Sequence, residues 1–226
     1  MGEDAVVEYS SSSEMLFNKV LRDAEQFDLI HVHSLDWMLP ELRRKYPGKK
    51  IVMHHHGQNL REDKSNDTLS RTMLANLILY ATPDLKQYLP HEAKYLPNPI
   101  DESLFKLSSY HGKGIIWPLC YERHIPYWRQ VLEKFPDCVI WDRRMHPLPY
   151  WRMPGFWSSF EMEVSWKPET EYITGITNLT LSDLECLALG MKVFYWPSGE
   201  ILTKFPEQHR TASVVKILRG FYEELV

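Results

Sequence analysis

Cysteine is scarce in this chain of 226 residues, and its few cysteines have no regular spacing. The three are Cys120, Cys138 and Cys186, an odd number spread widely along the sequence. A small secreted protein held together by disulfides needs an even, closely spaced set, so this class is excluded. Cys138 and Cys186 fall in apolar segments that we expect to be buried. We therefore expect free thiols in a reducing compartment, and hence a cytoplasmic protein.

The sequence also lacks a long apolar run and an excess of positive charge. No segment approaches the roughly 18 apolar residues of a membrane-spanning helix. Residues 1–13 do not show the basic and then apolar pattern of a secretory leader. The formal net charge of −4 argues against a general nucleic-acid-binding protein. Basic side chains at 43–45 and 49–50 fit either peripheral contact with anionic lipid or a solvated helix end.

Short apolar segments alternate with helical patterns in the first half of the chain. Helix-forming segments separate the apolar segments, and Pro97 and Pro99 make a rigid turn after the last of them. Strands of this type that alternate with helices favour a parallel sheet covered on both faces, and so the α/β class. Runs typical of buried strands occupy residues 27–33, 50–54, 77–80 and 94–96.

Residues 171–196 form the stretch around which the chain is organised. Residues 177–180 suit a turn and a helix N-cap, apolar residues follow at helical spacing, and Gly190 suits a left-handed C-cap before a buried strand. The free N–H groups and the positive dipole end of such a helix suit a phosphate. Glu185, about one turn further on, could accept hydrogen bonds from a diol. The alternative is an ordinary helix–strand unit with a solvated Glu185.

This stretch resembles the donor-binding segment of the retaining GT-B glycosyltransferases, the large nucleotide-sugar family often called family 4. Glu185 and residues 186–193 (CLALGMKV) follow the pattern of the second motif glutamate and the segment after it. In that family the second glutamate binds the ribose hydroxyls of the donor. Thr177 stands where the family has its first motif glutamate, which contacts the transferred sugar.

The first half of the chain resembles the same family, but the family's glycine-rich loop is absent there. Residues 28–34 (DLIHVHS), the pair His56-Gly57 and residues 96–105 match its motifs in order. The resemblance implies an α/β, GT-B-like fold: two small Rossmann-like domains with parallel sheets and a ligand cleft between them. The implied division is an abridged acceptor-side domain at 1–106, a nucleotide-sugar-binding domain at 107–206, and a C-terminal helix at 207–226 that returns toward the first domain.

The resemblance also implies which residues form the site. His56 is the expected catalytic residue, and Glu185 is expected to hold the donor ribose. Arg123 and Arg143 are candidates for contact with the donor diphosphate, with solvated surface arginines as the alternative. Neither a metal nor a cofactor is expected, because arginine and helix N–H groups stabilise the leaving diphosphate. The other expected donor-binding positions are Thr177, Asn178, Leu179, Thr180 and Leu181.

A cluster of histidines lies near the ends of two predicted strands. The carboxyl ends of parallel strands form the ligand edge of such a sheet. Convergent imidazoles could bind zinc, but adjacent residues on a strand point to opposite faces, and no spaced carboxylate or cysteine set accompanies them. We favour hydrogen-bonded core roles for the first two members, with metal binding as the alternative. The cluster comprises His31, His33, His54, His55 and His56.

The implied function is transfer of a sugar from a nucleotide-diphosphate sugar to an unknown acceptor (a glycan, a lipid or a protein) with retention of configuration. A degenerate binding protein without turnover is one alternative, favoured by Thr177 in place of the first motif glutamate. A nucleotide-sugar epimerase is another, with Glu62, Asp63 or Asp67 as acid and base. A homodimer is left open as the assembly.

Residues 141–166 are dense in tryptophan, other aromatic residues and proline. They show neither a helical nor an alternating apolar period, so we expect a packed irregular loop that covers the core. Stacking on a sugar or a base, and contact with a membrane interface, are the alternatives.

Overall fold

The computed structural model describes residues 14–57, 60–61, 66–108, 111–119, 122–166, 178–196 and 198–225. The chain divides into two compact units. The first comprises Met1–Ala81, Leu85–Lys94 and Tyr222–Val226, and the second comprises Thr82–Asp84 and Tyr95–Phe221.

The sheet of the first unit has the strand order β1-β2-β3-β4. β1 pairs with β2, and β2 pairs with β3, in parallel. Ile51, Val52 and Met53 are all 0% exposed at the centre of β2, because this strand lies between two others and both of its faces are covered. The parallel sheet expected from the sequence is confirmed. The strands are β1 (Leu29–His33), β2 (Lys50–His55), β3 (Leu77–Tyr80) and β4 (Lys94–Tyr95).

Three described helices of the first unit are α1 (Glu14–Asp23), α2 (Leu39–Lys45) and α3 (Asp67–Thr72). Leu39 and Leu42 of α2 are fully buried and share one apolar core with residues of β2. Burial of a leucine side chain contributes about 1.5–3 kcal/mol, so these contacts fix α2 on the sheet. The basic residues at 43–45 form the last turn of α2, where positive charge complements the helix dipole.

The sheet of the second unit has the strand order β6-β5-β7-β8-β9. Strands β6, β5, β7 and β8 are joined by parallel pairings, whereas β9 pairs antiparallel with β8 at one edge. The strands are β5 (Gly114–Leu119), β6 (Cys138–Asp142), β7 (Phe160–Ser165), β8 (Lys192–Tyr195) and β9 (Glu200–Leu202). The helices that accompany them are α4 (Trp128–Lys134), α5 (Met153–Trp157), α6 (Leu181–Leu189) and α7 (Thr211–Glu223).

Much of the aromatic-rich segment is helix and strand, so the irregular loop expected over residues 141–166 is wrong. It contains α5 and the strand β7, which lies between β5 and β8 inside the sheet. Trp157 is 0% exposed and contacts Trp141 edge to face, with ring centroids 5.6 Å apart. These large rings fill the core beside α6 because they bury more apolar surface than aliphatic side chains do.

The expected fold class, α/β with Rossmann-like parallel sheets, is confirmed. Within the described ranges, no helix combines the length and the apolar character needed to cross a membrane. Cys138 and Cys186 are buried free thiols, as expected. Short 3-10 helices occupy Ala24–Gln26, Asp36–Met38, Pro83–Tyr88, Glu122–Tyr127, Tyr150–Arg152 and Glu207–His209.

Candidate functional site

Helix α6 begins and ends where the sequence predicts. Thr180 is the N-cap: its hydroxyl accepts a hydrogen bond from the N–H of Asp183 at 3.3 Å. The carboxylate of Asp183 in turn accepts from the N–H of Thr180 at 2.6 Å, which completes a capping box. Gly190 ends the helix with a φ of +87°, a left-handed conformation that glycine adopts without strain.

The capping box determines which donors remain at the start of α6. The N–H groups of Thr180 and Asp183 are bonded inside the box, and the N–H of Leu184 bonds to the carbonyl of Thr180. Among hydrogen bonds between described residues, none uses the N–H of Leu181 or Ser182. The two free donors and the helix dipole therefore favour an anion here, although the Asp183 carboxylate adds negative charge to the same turn.

The loop before α6 is held from both sides. Asn178 is buried, and its side-chain oxygen accepts from the N–H of Asp84 at 3.2 Å. Its own N–H donates to the hydroxyl of Tyr195 at 3.0 Å. Leu179 packs against the apolar core beneath α6. Asn178 and Leu179 thus fix the position of the helix N-terminus, and Thr177 lies outside the described residues.

Glu185 lies on the buried face of α6 and is 0% exposed. Its Oε2 accepts a hydrogen bond from the indole Nε1 of Trp157 at 2.9 Å, whereas Oε1 is buried without a partner. Burial raises the pKa of this carboxyl, and both the Trp157 hydrogen bond and the positive charge of Arg143 oppose that rise. A buried acceptor without a donor is costly, so Oε1 is a place where a ligand hydroxyl would add a favourable hydrogen bond.

Two neighbouring arginines follow β6 and differ in what they contact. Arg144 donates to both carboxylate oxygens of Asp142, at 3.0 and 2.7 Å. The guanidinium of Arg143 lies 5.5 Å from the ring centroid of Trp141, and its charge acts on Glu185. The charge of Arg143 thus acts on Glu185, whereas Arg144 forms an ion pair with its near neighbour Asp142. Arg123 lies in the 3-10 helix Glu122–Tyr127, and its side chain is outside the described part of the chain.

Sequence reasoning missed Glu163, a fully buried carboxyl group on β7. Both of its oxygens are buried without a hydrogen bond of good geometry, although Ser182 and Cys186 lie beside it. Burial, and then the charge of Asp183, raise its pKa well above the ordinary value. The signal in the sequence is a glutamate inside the short apolar run FEMEVS, a pattern that places an acid within a buried strand.

In the first unit, four of the five clustered histidines share one face of the sheet. His33 of β1 is aligned with His54 of β2 in parallel register. His31 lies two residues before His33, and His56 lies two residues after His54, so the alternation of strand side chains puts all four on one side. His55 points to the other face, where its Nε2 lies 2.9 Å from the hydroxyl of Thr72.

Each of the four imidazoles contacts at least two of the others. The ring centroids of His31 and His33 are 4.2 Å apart and stacked, and those of His54 and His56 are 4.3 Å apart. The Nδ1 of His33 lies 3.0 Å from the Nε2 of His56, at hydrogen-bonding distance. The Nδ1 of His31 lies 2.5 Å from the hydroxyl of Tyr222. His56, the expected catalytic residue, is therefore an exposed member of a histidine cluster.

The surroundings of His31, His33 and His54 lower the pKa of each and so favour the neutral form. Burial, and then the charges of His33 and His56, lower the pKa of His31 to about 3. Burial, and then His56, lower the pKa of His33 to about 4. Burial and the neighbouring imidazoles also lower the pKa of His54 strongly. Neutral imidazoles each carry one nitrogen lone pair, which can accept a proton or bind a metal.

No family model and no curated protein sequence matches the chain. Among solved structures it is similar to sucrose-phosphate synthase from Thermosynechococcus elongatus, with a TM-score of 0.50 and 10% sequence identity. That match covers 82% of this chain and 62% of the synthase, so the chain corresponds to less than two thirds of that protein. At this identity the likeness concerns the fold, and it agrees with a GT-B-like pair of Rossmann-like units.

Two further structures are similar at lower TM-scores. The accessory secretory proteins 1, 2 and 3 of Streptococcus pneumoniae give 0.45 at 10% identity, over 92% of this chain and 49% of that one. A proposed UDP-N-acetylglucosamine 2-epimerase from Listeria monocytogenes gives 0.45 at 11% identity, over 96% of this chain and 74% of that one. The assignment of the site therefore rests on the residues themselves.

Proposed function

We propose that the chain binds a nucleotide-diphosphate sugar in its second unit and transfers the sugar to an acceptor. The observation that carries the proposal is Glu185. One of its carboxylate oxygens is held by Trp157, while the other is buried without a donor. A ribose diol would supply the donor hydrogen bonds that this oxygen lacks. The resemblance of residues 185–193 to the family's donor segment assigns the same role to Glu185.

The diphosphate would bind at the start of α6. The free N–H groups of Leu181 and Ser182 offer hydrogen bonds there, and the helix dipole favours negative charge. Arg143 supplies a positive charge on the Glu185 side of the unit, and this charge would attract the diphosphate. By the resemblance, Arg123 and Thr177 are proposed as further donor contacts, and His56 is proposed to contact the transferred sugar.

The proposed reaction exchanges one bond at the anomeric carbon for another. The bond from this carbon to the diphosphate oxygen breaks, and a bond to the acceptor oxygen forms on the same face. The proton of the acceptor hydroxyl passes to the leaving diphosphate oxygen. Arg143 and the N–H groups at the start of α6 would stabilise the charge that develops on this oxygen, which is the largest contribution expected from the protein. A nucleotide diphosphate and a retained glycoside are the products.

The role of Glu185 predicts how nucleotide binding responds to mutation. We expect one of UDP, GDP and ADP to bind, and Glu185→Gln to weaken it at least tenfold, about 1.4 kcal/mol. Glutamine has almost the same size and can still accept a hydrogen bond from Trp157. The change therefore removes the carboxylate charge and the second oxygen acceptor of Glu185, and leaves the packing intact. Calorimetric titration measures the effect, with Glu200→Gln on the exposed strand β9 as the control. The proposal fails if the wild-type chain binds none of the three diphosphates.

The two neighbouring arginines give a matched test of the diphosphate contact. We expect Arg143→Ala to weaken the preferred nucleoside diphosphate by about tenfold, because a charge-assisted contact to phosphate is lost. The corresponding nucleoside, which has no phosphate, should bind equally well to the variant and the wild type. Arg144→Ala should leave both affinities unchanged, since Arg144 is bonded to Asp142. Equal effects of Arg143→Ala on the nucleoside and the diphosphate would contradict this assignment.

Turnover separates an enzyme from a degenerate binding protein. The preferred donor sugar is incubated with the chain and with candidate glycan, lipid or protein acceptors, and release of the nucleoside diphosphate is measured. Nuclear magnetic resonance of the product then gives the anomeric configuration, and retention is the expected result. Binding without release would identify a nucleotide-sugar-binding protein that has lost the activity.

A further inference from the structure

We propose that the first unit binds a zinc-type divalent metal ion through His31, His33 and His54. The three ligands differ from the residues proposed to bind the nucleotide, and they lie in the other unit of the chain. One potential ligand atom from each of these three histidines lies within 4.8 Å of the others. Tetrahedral zinc with imidazole ligands needs nitrogen atoms about 3.4 Å apart. Modest rotation of the rings closes that difference.

The hydrogen-bonding state of the rings is the second observation. Both ring nitrogens of His54 are buried without a partner, and so is the Nε2 of His31. Buried nitrogens in native proteins almost always have a donor, an acceptor or a metal as partner, so these atoms need an explanation. A shared ion would give a partner to the Nε2 of His31 and to one of the two ring nitrogens of His54, since each ring would supply one lone pair.

The other ring nitrogens of His31 and His33 are arranged as metal sites require. Histidine ligands usually have their other ring nitrogen bonded to a neighbouring group, which fixes the tautomer and the ring orientation. The Nδ1 of His31 lies 2.5 Å from the hydroxyl of Tyr222, and the Nδ1 of His33 lies 3.0 Å from the Nε2 of His56. If these Nδ1 atoms donate, the Nε2 atoms of His31 and His33 carry the lone pairs that bind the ion.

The donor set and its exposure indicate the kind of ion. Imidazole nitrogen suits zinc and the other late first-row metals rather than magnesium or calcium, which prefer oxygen ligands. His54 is 3% exposed, whereas His33 and His56 reach the surface, so an ion can enter from that side. Three histidines leave a fourth position for water or a substrate oxygen, as in catalytic rather than closed structural zinc sites.

Metal-free protein is obtained by treating the full chain with a chelator, and Zn²⁺ is then titrated against a chromophoric competitor. We expect one ion per chain, and at least hundredfold weaker binding in His31→Gln and His54→Gln. Circular dichroism checks that each variant folds. If His54→Gln does not fold, the exposed variant His33→Gln tests zinc binding in its place. His91→Gln is the matched control, because His91 is an exposed histidine of the same unit.

Two results would overturn the proposal: wild-type protein that takes up no zinc, or zinc affinity that is unchanged in His31→Gln and His33→Gln. Co²⁺ gives an independent readout, because a four-coordinate ion bound by these imidazoles produces intense visible absorption. Tyr222→Phe should weaken zinc binding by roughly tenfold, since it removes the group that orients His31. Nucleotide affinity should be the same with and without the metal, which keeps this test separate from that of the donor site.

Discussion

Replacing Glu163 with glutamine is expected to make the protein more stable at alkaline pH. Burial raises the pKa of this carboxyl well above its ordinary value, and the charge of Asp183 raises it further. The folded chain therefore keeps a proton that the unfolded chain releases above its ordinary pKa of 4.5. Because the unfolded state then binds fewer protons, wild-type stability falls as the pH rises from that value toward the folded pKa. Glutamine has no such proton to release.

The expected signature is a difference in slope rather than a single value. Over this pH window the free energy of unfolding should fall by up to about 1.4 kcal/mol per pH unit more in the wild type than in Glu163→Gln. Urea unfolding at a series of pH values measures it. Glu161→Gln changes a partly exposed glutamate on the same strand and should keep the wild-type slope. Parallel curves for Glu163→Gln and the wild type would mean that Glu163 is ionised in the folded protein.

Gly112→Ala is expected to destabilise the second unit strongly. A Cβ atom at this position would lie 1.9 Å from the carbonyl oxygen of Ser159, far inside van der Waals contact. The position of a Cβ is fixed by the backbone of residue 112, and the carbonyl belongs to the backbone of Ser159, so neither atom can rotate away. Gly112 also donates its N–H to the carbonyl of Ser158 at 3.0 Å, just before strand β5. Overpacking of this kind costs about 1–3 kcal/mol even where side chains can adjust.

Gly155 provides the opposite case in the same unit. It lies in α5, and a Cβ there would meet nothing within 4 Å. Alanine is favoured over glycine inside a helix by about 0.5–1 kcal/mol, so Gly155→Ala should stabilise the protein slightly. Thermal unfolding of both variants tests the pair. A Gly112→Ala variant as stable as the wild type would show that the backbone around Ser159 can move.

Helix α6 is the part of the site that the sequence predicted best. Its N-cap at Thr180 and its C-cap at Gly190 are local signals, since each depends on hydrogen bonds within a few residues. The strand that follows α6 and the parallel strands of the first unit could be predicted equally well. Their continuous apolar runs are typical of strands that are buried on both faces. In these elements, interactions within a few residues of the sequence were sufficient to predict the structure.

Strand β7 could not be predicted in the same way. Its sequence, FEMEVS, has two glutamates among apolar residues, and neither fits the usual pattern of a central strand. The burial of Glu163 depends on α6, a later element of the chain that packs against β7. The aromatic residues before β7 have no period of their own, because they fill spaces set by other elements. Only the tertiary structure gives them a regular arrangement.

The histidine cluster illustrates the limit of reasoning along one strand. Adjacent residues do point to opposite faces, which is why His55 is separate from the others. His31 and His33 are two residues apart, however, and so share a face. Their meeting with His54 depends on the register between β1 and β2, which aligns His33 with His54. A sequence does not state that register, so the convergence of ring nitrogens became visible only in three dimensions.

Strand β9 has a consequence for the behaviour of the protein at high concentration. An open parallel sheet exposes backbone N–H and C=O groups along its outer strand, where another chain can add a strand and begin aggregation. β9 covers that side of β8 with a short antiparallel strand, Glu200–Leu202, that begins with a charged residue. A strand so short gives an incoming chain few groups to pair with. The chain thus protects one edge of its second sheet against intermolecular pairing.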